Sequence, residues 1–160
     1  MKFNKTIGIY DNVIIDDFVY ISGEVSIGSY SHIASNVTLS ASSSSISIGK
    51  YSGISAGAKI YAGSSNYLSA SIDLPTFPKS IQYGTIYEKV VLKDSSLIGA
   101  NTIILPGVLI REGVAISAGC CISKKEKIPS WSIYTRNKRT APRSGKEMYL
   151  KKIKEFENEK

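Results

Sequence analysis

The sequence predicts an all-β solenoid, a parallel β-helix, and three observations carry that reading. Isoleucine or leucine recurs every six residues: Ile9, Ile15, Ile21, Ile27, Ile33 and Leu39; then Ile48, Ile54 and Ile60; then Ile86, Leu92, Ile98, Ile104, Ile110, Ile116, Ile122 and Ile128. Six is a whole number of two-residue strand periods, so these side chains share one side of an extended chain, whereas a helix would scatter them. A smaller apolar residue sits two positions before many of the marks, as at Val13, Val19, Val25, Val37, Ala58, Val90, Val108, Val114 and Cys120. Finally, the hexads repeat over most of the chain, the signature of coils that stack and bury one continuous core. An antiparallel sandwich would place its turn signals at less regular intervals.

The 160 residues suit one core. Met1–Lys5 leads straight into the repeat with no leader core or cleavage site, and no apolar run approaches the ~20 residues of a membrane span. Cys120 and Cys121 are adjacent and build no ordinary disulfide framework; by register Cys120 points inward and Cys121 outward. A reducing cytoplasm is the compartment expected. Residues 1–123 hold eight basic and eight acidic residues, whereas residues 124–160 hold twelve and five, so the whole net charge of +7 belongs to the tail. That tail could attract nucleic acid or an anionic membrane, or equally hold the phosphates of a small cofactor. No aromatic-basic interleaving or nucleic-acid motif accompanies it, so nucleic acid is not expected as a partner.

The repeat breaks twice. Leu39 and Ile48 are nine residues apart, the excess filled by the Ser40–Ser45 run, and Ile60 and Ile86 are twenty-six apart. The second break predicts a protruding loop over about 61–85, rich in aromatic and apolar residues and holding Pro75 and Pro78. Loops on rigid scaffolds are where sites are commonly built, although padding of a subunit contact would use the same residues. The pattern stops at Pro129, which divides the chain into a β-helix domain, 1–129, and a basic extension, 130–160. In the extension Ser144-Gly145-Lys146-Glu147 reads as a capping box. Tyr149, Leu150, Ile153 and Phe156 then mark one face of a short amphipathic helix over 145–157, expected to cover the open end of the stack or a neighbouring subunit.

The hexads, the string Ile98-Gly99-Ala100-Asn101-Thr102-Ile103-Ile104-Leu105-Pro106-Gly107-Val108, and Ile116-Ser117-Ala118-Gly119 with Lys124 resemble the hexapeptide-repeat acyltransferases over about 120 residues. The nearest branch is that of the sugar and surface-polysaccharide O-acetyltransferases. The resemblance implies a left-handed coil, three hexads to a turn and hence about five to six coils, where sequence physics alone would favour right-handed crossovers. It also implies a homotrimer with acetyl-CoA as acyl donor in the groove between subunits, and no metal. Carried over by position, Gly99, Ala100, Ser117, Ala118 and Gly119 would line the pantetheine arm, and Lys124, Arg136, Lys138 and Arg139 would meet the CoA phosphates, with Lys125 and Arg143 as further candidates. Small residues let a backbone approach a thin ligand, and they equally suit tight corners. Two departures stand out. Arg136-Asn137-Lys138-Arg139 replaces the family's Gly-Asn-Pro-Ala element, and the long loop has no histidine.

With three hexads to a coil, both insertions leave from one corner, one coil above the other. Acyl transfer to a hydroxyl needs a general base, and His32 is the chain's one histidine. With Ile33 inward, His32 points outward, either as that base or as an interface histidine. Ser65-Asn66-Tyr67 resembles a loop motif of polysaccharide acetyltransferases with Asn in place of an acidic residue, so Asn66, Tyr67 and Asp73 are the expected substrate-binding residues. The function expected is acetyl transfer from acetyl-CoA to a hydroxyl of a sugar or surface-polysaccharide precursor. The alternatives are N-acetylation of a nucleotide-linked amino sugar, where Asp73 or the amine's own lowered pKa could suffice, and a non-catalytic β-helix scaffold. Zinc-dependent hydration on this scaffold would need three histidines.

Overall fold

A computed structural model describes residues 7–159; the Met1–Lys5 start, with residues 6 and 160, lies outside the described residues. The hexads form parallel rungs on three faces, in register coil over coil. The first face stacks Ile7–Ile9, the Val25–Ile27 end of the strand Tyr20–Ile27, the Ile46–Ile48 end of Thr38–Ile48, Val90–Leu92 and Leu109–Ile110. The second stacks Ile14–Ile15, His32–Ile33, Gly53–Ile54, Leu97–Ile98, Ala115–Ile116 and Ser132–Tyr134. The third stacks the starts of the two long strands, Lys59–Tyr61, Ile103–Ile104 and Cys121–Ile122.

Nearly every marked residue is buried: Ile33, Leu39, Ile60, Ile104 and Ile110 have no exposed surface, and Cys120 is buried while Cys121 is exposed. Burying such a side chain is worth about 1.5–3 kcal/mol, so the column of isoleucines is the main source of stability. The first coil departs from this. Ile9 pairs in register with Ile27 yet remains 52% exposed, because no coil lies beneath it among the described residues.

Counted along the second face, the stack is seven strands tall rather than five to six. The parallel pairing runs past Pro129 into Ser132–Tyr134, and Thr140–Pro142 adds a last, antiparallel strand. That hairpin ends the second face.

The corner between the first and second faces explains the tail. Asn12, Tyr30, Tyr51, Ser95, Gly113 and Trp131, one per coil, all have positive φ. The left-handed region strains tyrosine and tryptophan far more than glycine or asparagine. Their rings offset the strain by packing together: Tyr30 stacks on Tyr51 at 5.7 Å, and Trp131 covers Gly113, where a Cβ would lie within 2.3 Å of the indole. The helix, Lys146–Asn158, lies along this column instead of over the end of the stack. Tyr149 meets Trp131 edge-on and donates to Ser95 Oγ, Phe156 meets Tyr30, and Tyr51 Oη donates to Glu157 Oε1 at 2.7 Å. The rings at the two ends of this column, Tyr30 with Tyr51 and Trp131, give the helix aromatic surface to pack against. The capping box does not form. Gly145, in the left-handed conformation, is the N-cap, with no side-chain hydrogen bond to the helix. Arg143, read above as a phosphate candidate, donates to the carbonyls of Ser95 and Gly113 and pins the tail to the corner.

Candidate active site

His32 stands on the second face, outward as expected, with Ile33 buried beside it. Its side chain is 52% exposed, and Nε2 lies 3.1 Å from Oδ2 of Asp16, which sits one coil below at the next corner. An exposed pair of this kind adds little stability. Its effect is orientation, because a carboxylate on one ring nitrogen fixes the imidazole and leaves the other nitrogen free to act. The next rung up offers Gly53, over which the Leu97 side chain leans, with Cδ2 3.0 Å from where a Cβ would sit.

The two insertions leave the corner between the third and first faces and touch each other: a Cβ on Gly63 would lie 2.8 Å from Ser42 Cβ. The long loop has an antiparallel stem, Gly63–Ser64 against Ile86–Tyr87, and a bridge between Ile72 and Tyr83. Asn66 shapes the loop itself, since its Oδ1 accepts from the Leu68 amide and its Nδ2 donates to Ser69 Oγ. Tyr67 and Leu68 at the tip are 87% and 90% exposed. Asp73 Oδ2 is buried and has no hydrogen-bond partner among the described residues. Between loop and corner lies an apolar cavity of about 240 Å³, walled by Tyr67, Leu68, Ile86, Leu105 and the Lys124 stem. Lys124 is ion-paired with Glu88 at its edge.

The remaining segment follows the corner between the second and third faces. Gly99-Ala100 lies one coil below Ser117-Ala118-Gly119; Gly119 N donates to Ala100 O, and Ser117 N donates to Tyr134 O in the coil above. A Cβ on Gly99 would sit 2.4 Å from the Ala118 nitrogen, so coil stacking alone demands glycine there. Gly119, at φ +69°, has nothing within 4 Å of where its Cβ would be, leaving a ledge of bare backbone. The turn of the terminal hairpin, closed by Thr135 N to Arg139 O, hangs above the ledge. Arg136 and Arg139 are exposed and make no ion pair among the described residues, whereas Lys138 lies 3.9 Å from Glu126.

The structure therefore brings Gly99, Ala100, Ser117, Ala118, Gly119, Arg136, Lys138 and Arg139 together along one corner. It sets Lys124 on another corner, with the loop. Within one chain His32 and the loop residues stay on different sides of the prism. Sequence reading missed Asp16 and Glu88, the partners of His32 and Lys124. The signal for Asp16 was present, because a residue sixteen before another lies one coil below and two positions along. Among the described residues no cluster of His, Cys, Asp or Glu is arranged to hold a metal ion, and no helix is long and apolar enough to cross a membrane.

A ledge of small residues beside a basic turn, on a hexapeptide β-helix with a side loop, is the architecture of a transferase scaffold. The family described as "Bacterial transferase hexapeptide (six repeats)" matches residues 7–41. Among solved structures, the chain is 33% identical to AntD, an N-acyltransferase from Bacillus cereus in complex with dTDP and 3-hydroxybutyryl-CoA. That match covers 96% of this chain and 81% of AntD, with a TM-score of 0.84. A variant of AntD in complex with dTDP-4-amino-4,6-dideoxyglucose and coenzyme A is 32% identical, over 96% of this chain and 85% of that one, with a TM-score of 0.82. The hexapeptide-repeat acetyltransferase VCA0836 from Vibrio cholerae, 18% identical over 83% of this chain and 69% of that chain (TM-score 0.64), shares the fold. No curated protein sequence matches the chain. The chain belongs to the hexapeptide-repeat acyltransferases.

Proposed function

We propose that this protein transfers an acyl group from a coenzyme A thioester to the amino group of a nucleotide-linked sugar. The observation that carries this reading is the likeness to AntD over nearly the whole chain, since AntD is an N-acyltransferase bound to dTDP and an acyl-CoA. It revises the first expectation, O-acetylation, toward its N-acetylating alternative. The ledge at Gly119 and the cations Arg136 and Arg139 suit the pantetheine arm and phosphates of the donor. Lys138 is half-engaged by Glu126, and Lys124 is engaged by Glu88, which leaves Lys124 closer to the acceptor pocket.

In this reading Asp73 receives the acceptor. A sugar amine arrives as an ammonium, and a carboxylate oxygen buried without a donor costs about 1–3 kcal/mol that a bound ammonium would offset. Asp73 takes one proton, the neutral nitrogen attacks the thioester carbonyl and a C–N bond forms; as the C–S bond breaks, the nitrogen sheds its second proton, which the departing CoA thiolate takes up. Tyr67 and the apolar cavity hold the sugar, and a homotrimer would set one subunit's loop against the next subunit's ledge.

A second reading rests on the His32–Asp16 pair, which is the arrangement a hydroxyl acceptor needs: an oriented imidazole able to take the hydroxyl proton. Free-thiol release from acetyl-CoA, followed with a nucleotide amino sugar and with its hydroxyl counterpart, separates the two. Release with the amine, abolished in Asp73→Asn and retained in His32→Ala, is the expected result. Release with the hydroxyl sugar alone, lost in His32→Ala, would overturn N-transfer. Absence of CoA binding would remove both.

A further inference from the structure

The tail holds the chain's excess charge in sequence, yet a further basic surface lies on the first face. On the first face, Leu92 and Ile110 are partners in adjacent coils, so Lys93 and Arg111, the residues that follow them, are stacked one rung apart. A rung is about 4.8 Å, close enough for like charges to repel unless an anion lies between or across them. Neither makes an ion pair with any described residue, and the same is true of Lys89 and Lys127 on either side. At the edge toward the loop Glu88 is ion-paired with Lys124, and Glu126 lies 3.9 Å from Lys138. Asp94 and Glu112 stand at the far edge, and Asp94 Oδ1 accepts from the Lys50 amide. The floor between the cations is apolar: Leu109 is 49% exposed, and Val91 is half-buried below it. A hollow of about 550 Å³ lies over Lys89, Val91, Lys93 and Leu109, and an adjoining one of about 450 Å³ is lined by Lys93, Leu109 and Arg111 with Asp94 and Glu112, each within the ~300–1,000 Å³ usual for ligand sites.

Two cations one rung apart, neither held in an ion pair, beside an exposed aliphatic floor suit a ligand with adjacent phosphates and a flat ring. We infer that this groove binds a nucleoside diphosphate group, with Lys93 and Arg111 on the diphosphate and Val91 and Leu109 under the ring. Arg111 offers the paired donors that phosphate oxygens accept together, and Lys93 adds a point charge. The inference rests on the transferase reading, which supplies two sources of this chemistry: the nucleotide of the acceptor sugar and the adenosine diphosphate end of coenzyme A.

The test is calorimetric titration with dTDP and, separately, with CoA. It uses the wild type, Lys93→Ala/Arg111→Ala, and a control, Lys151→Ala/Lys152→Ala, that removes equal charge from the distant helix. All four residues are exposed, and circular dichroism checks each fold. A loss of dTDP affinity of about 10- to 100-fold in the groove variant, with CoA binding kept, supports the site and assigns it to the acceptor. The converse pattern supports it and assigns it to the donor. A groove variant that binds both probes like the wild type, or no worse than the control does, overturns the inference even if thiol release in the wild type stands. Wild type that binds neither probe overturns it together with the transferase reading.

Discussion

The wall that carries His32 and the loop that carries Asp73 are built by different rules. On the wall His32–Ile33 pairs in register with the coil below and the coil above, Ile33 and Ile54 are sealed, and His32 has found a partner within reach. On the loop a short stem and one bridge hold some twenty residues, the tip is nearly bare, and an acid oxygen is buried without a donor. The difference teaches where to expect chemistry that depends on a guest. A satisfied residue on a rigid surface needs nothing more, whereas an unsatisfied one on a loosely held segment is completed by what binds.

The largest effect that could break this comparison is kinetic. Asp73→Asn should lower amine-acceptor turnover about 10²–10⁴-fold with an unchanged melting temperature, while His32→Ala changes it less than about tenfold. Steady-state thiol release reads both, and the reverse ranking would return the chemistry to the wall. Next comes the wall's own stability. Ile104→Ala empties a fully buried site and should cost about 2–5 kcal/mol in chemical denaturation, whereas Leu68→Ala at the loop tip should cost almost nothing. Equal losses would mean that the loop is part of the core. Smaller still, Gly99→Ala forces a methyl against the Ala118 backbone and should cost about 1–3 kcal/mol, with the KM for acetyl-CoA rising as the ledge shifts. A stability loss with an unchanged KM would make Gly99 a stacking residue only.

The least effect concerns the helix. The Glu157 carboxylate accepting from Tyr51, together with burial, pushes that phenol up to about 12. Since this lies above the ordinary value near 10, the contact contributes fully below about pH 10 and is lost as pH rises through 12. Tyr51→Phe should cost about 0.5–1.5 kcal/mol at neutral pH and flatten the alkaline limb of a pH-dependent melt. An alkaline limb unchanged in that variant would place its origin elsewhere.

The wall was legible in the sequence because its rule is local: six residues, one inward mark, repeated. Both insertions and their shared corner followed from counting along it. What local reading missed depends on which coil meets which. Ser144 and Glu147 have the right letters for a capping box, but the chain enters the helix through Gly145 in a left-handed turn, and the helix follows rings contributed by Tyr30, Tyr51 and Trp131. Charge misled in the same way. The first 123 residues balance along the chain, yet stacking sets Lys93 over Arg111 with no ion pair to either among the described residues. The ledge was found through family resemblance, and only the coordinates separate Gly99, which stacking requires, from Gly119, which is open.

A solenoid is ordinarily a chain of neighbours, each coil knowing only the next, so that either end can unravel independently. Here the returning helix ties Trp131 near the last coil to Tyr30 in the second. Coils can zip up one after another as the ribosome delivers them, but the latch, residues 146–158, arrives only after all of them. Until then the stack is a zipper open to fraying, and afterwards its two halves are fastened together. Translation that stops short of the helix would leave every strand present and the fastening absent.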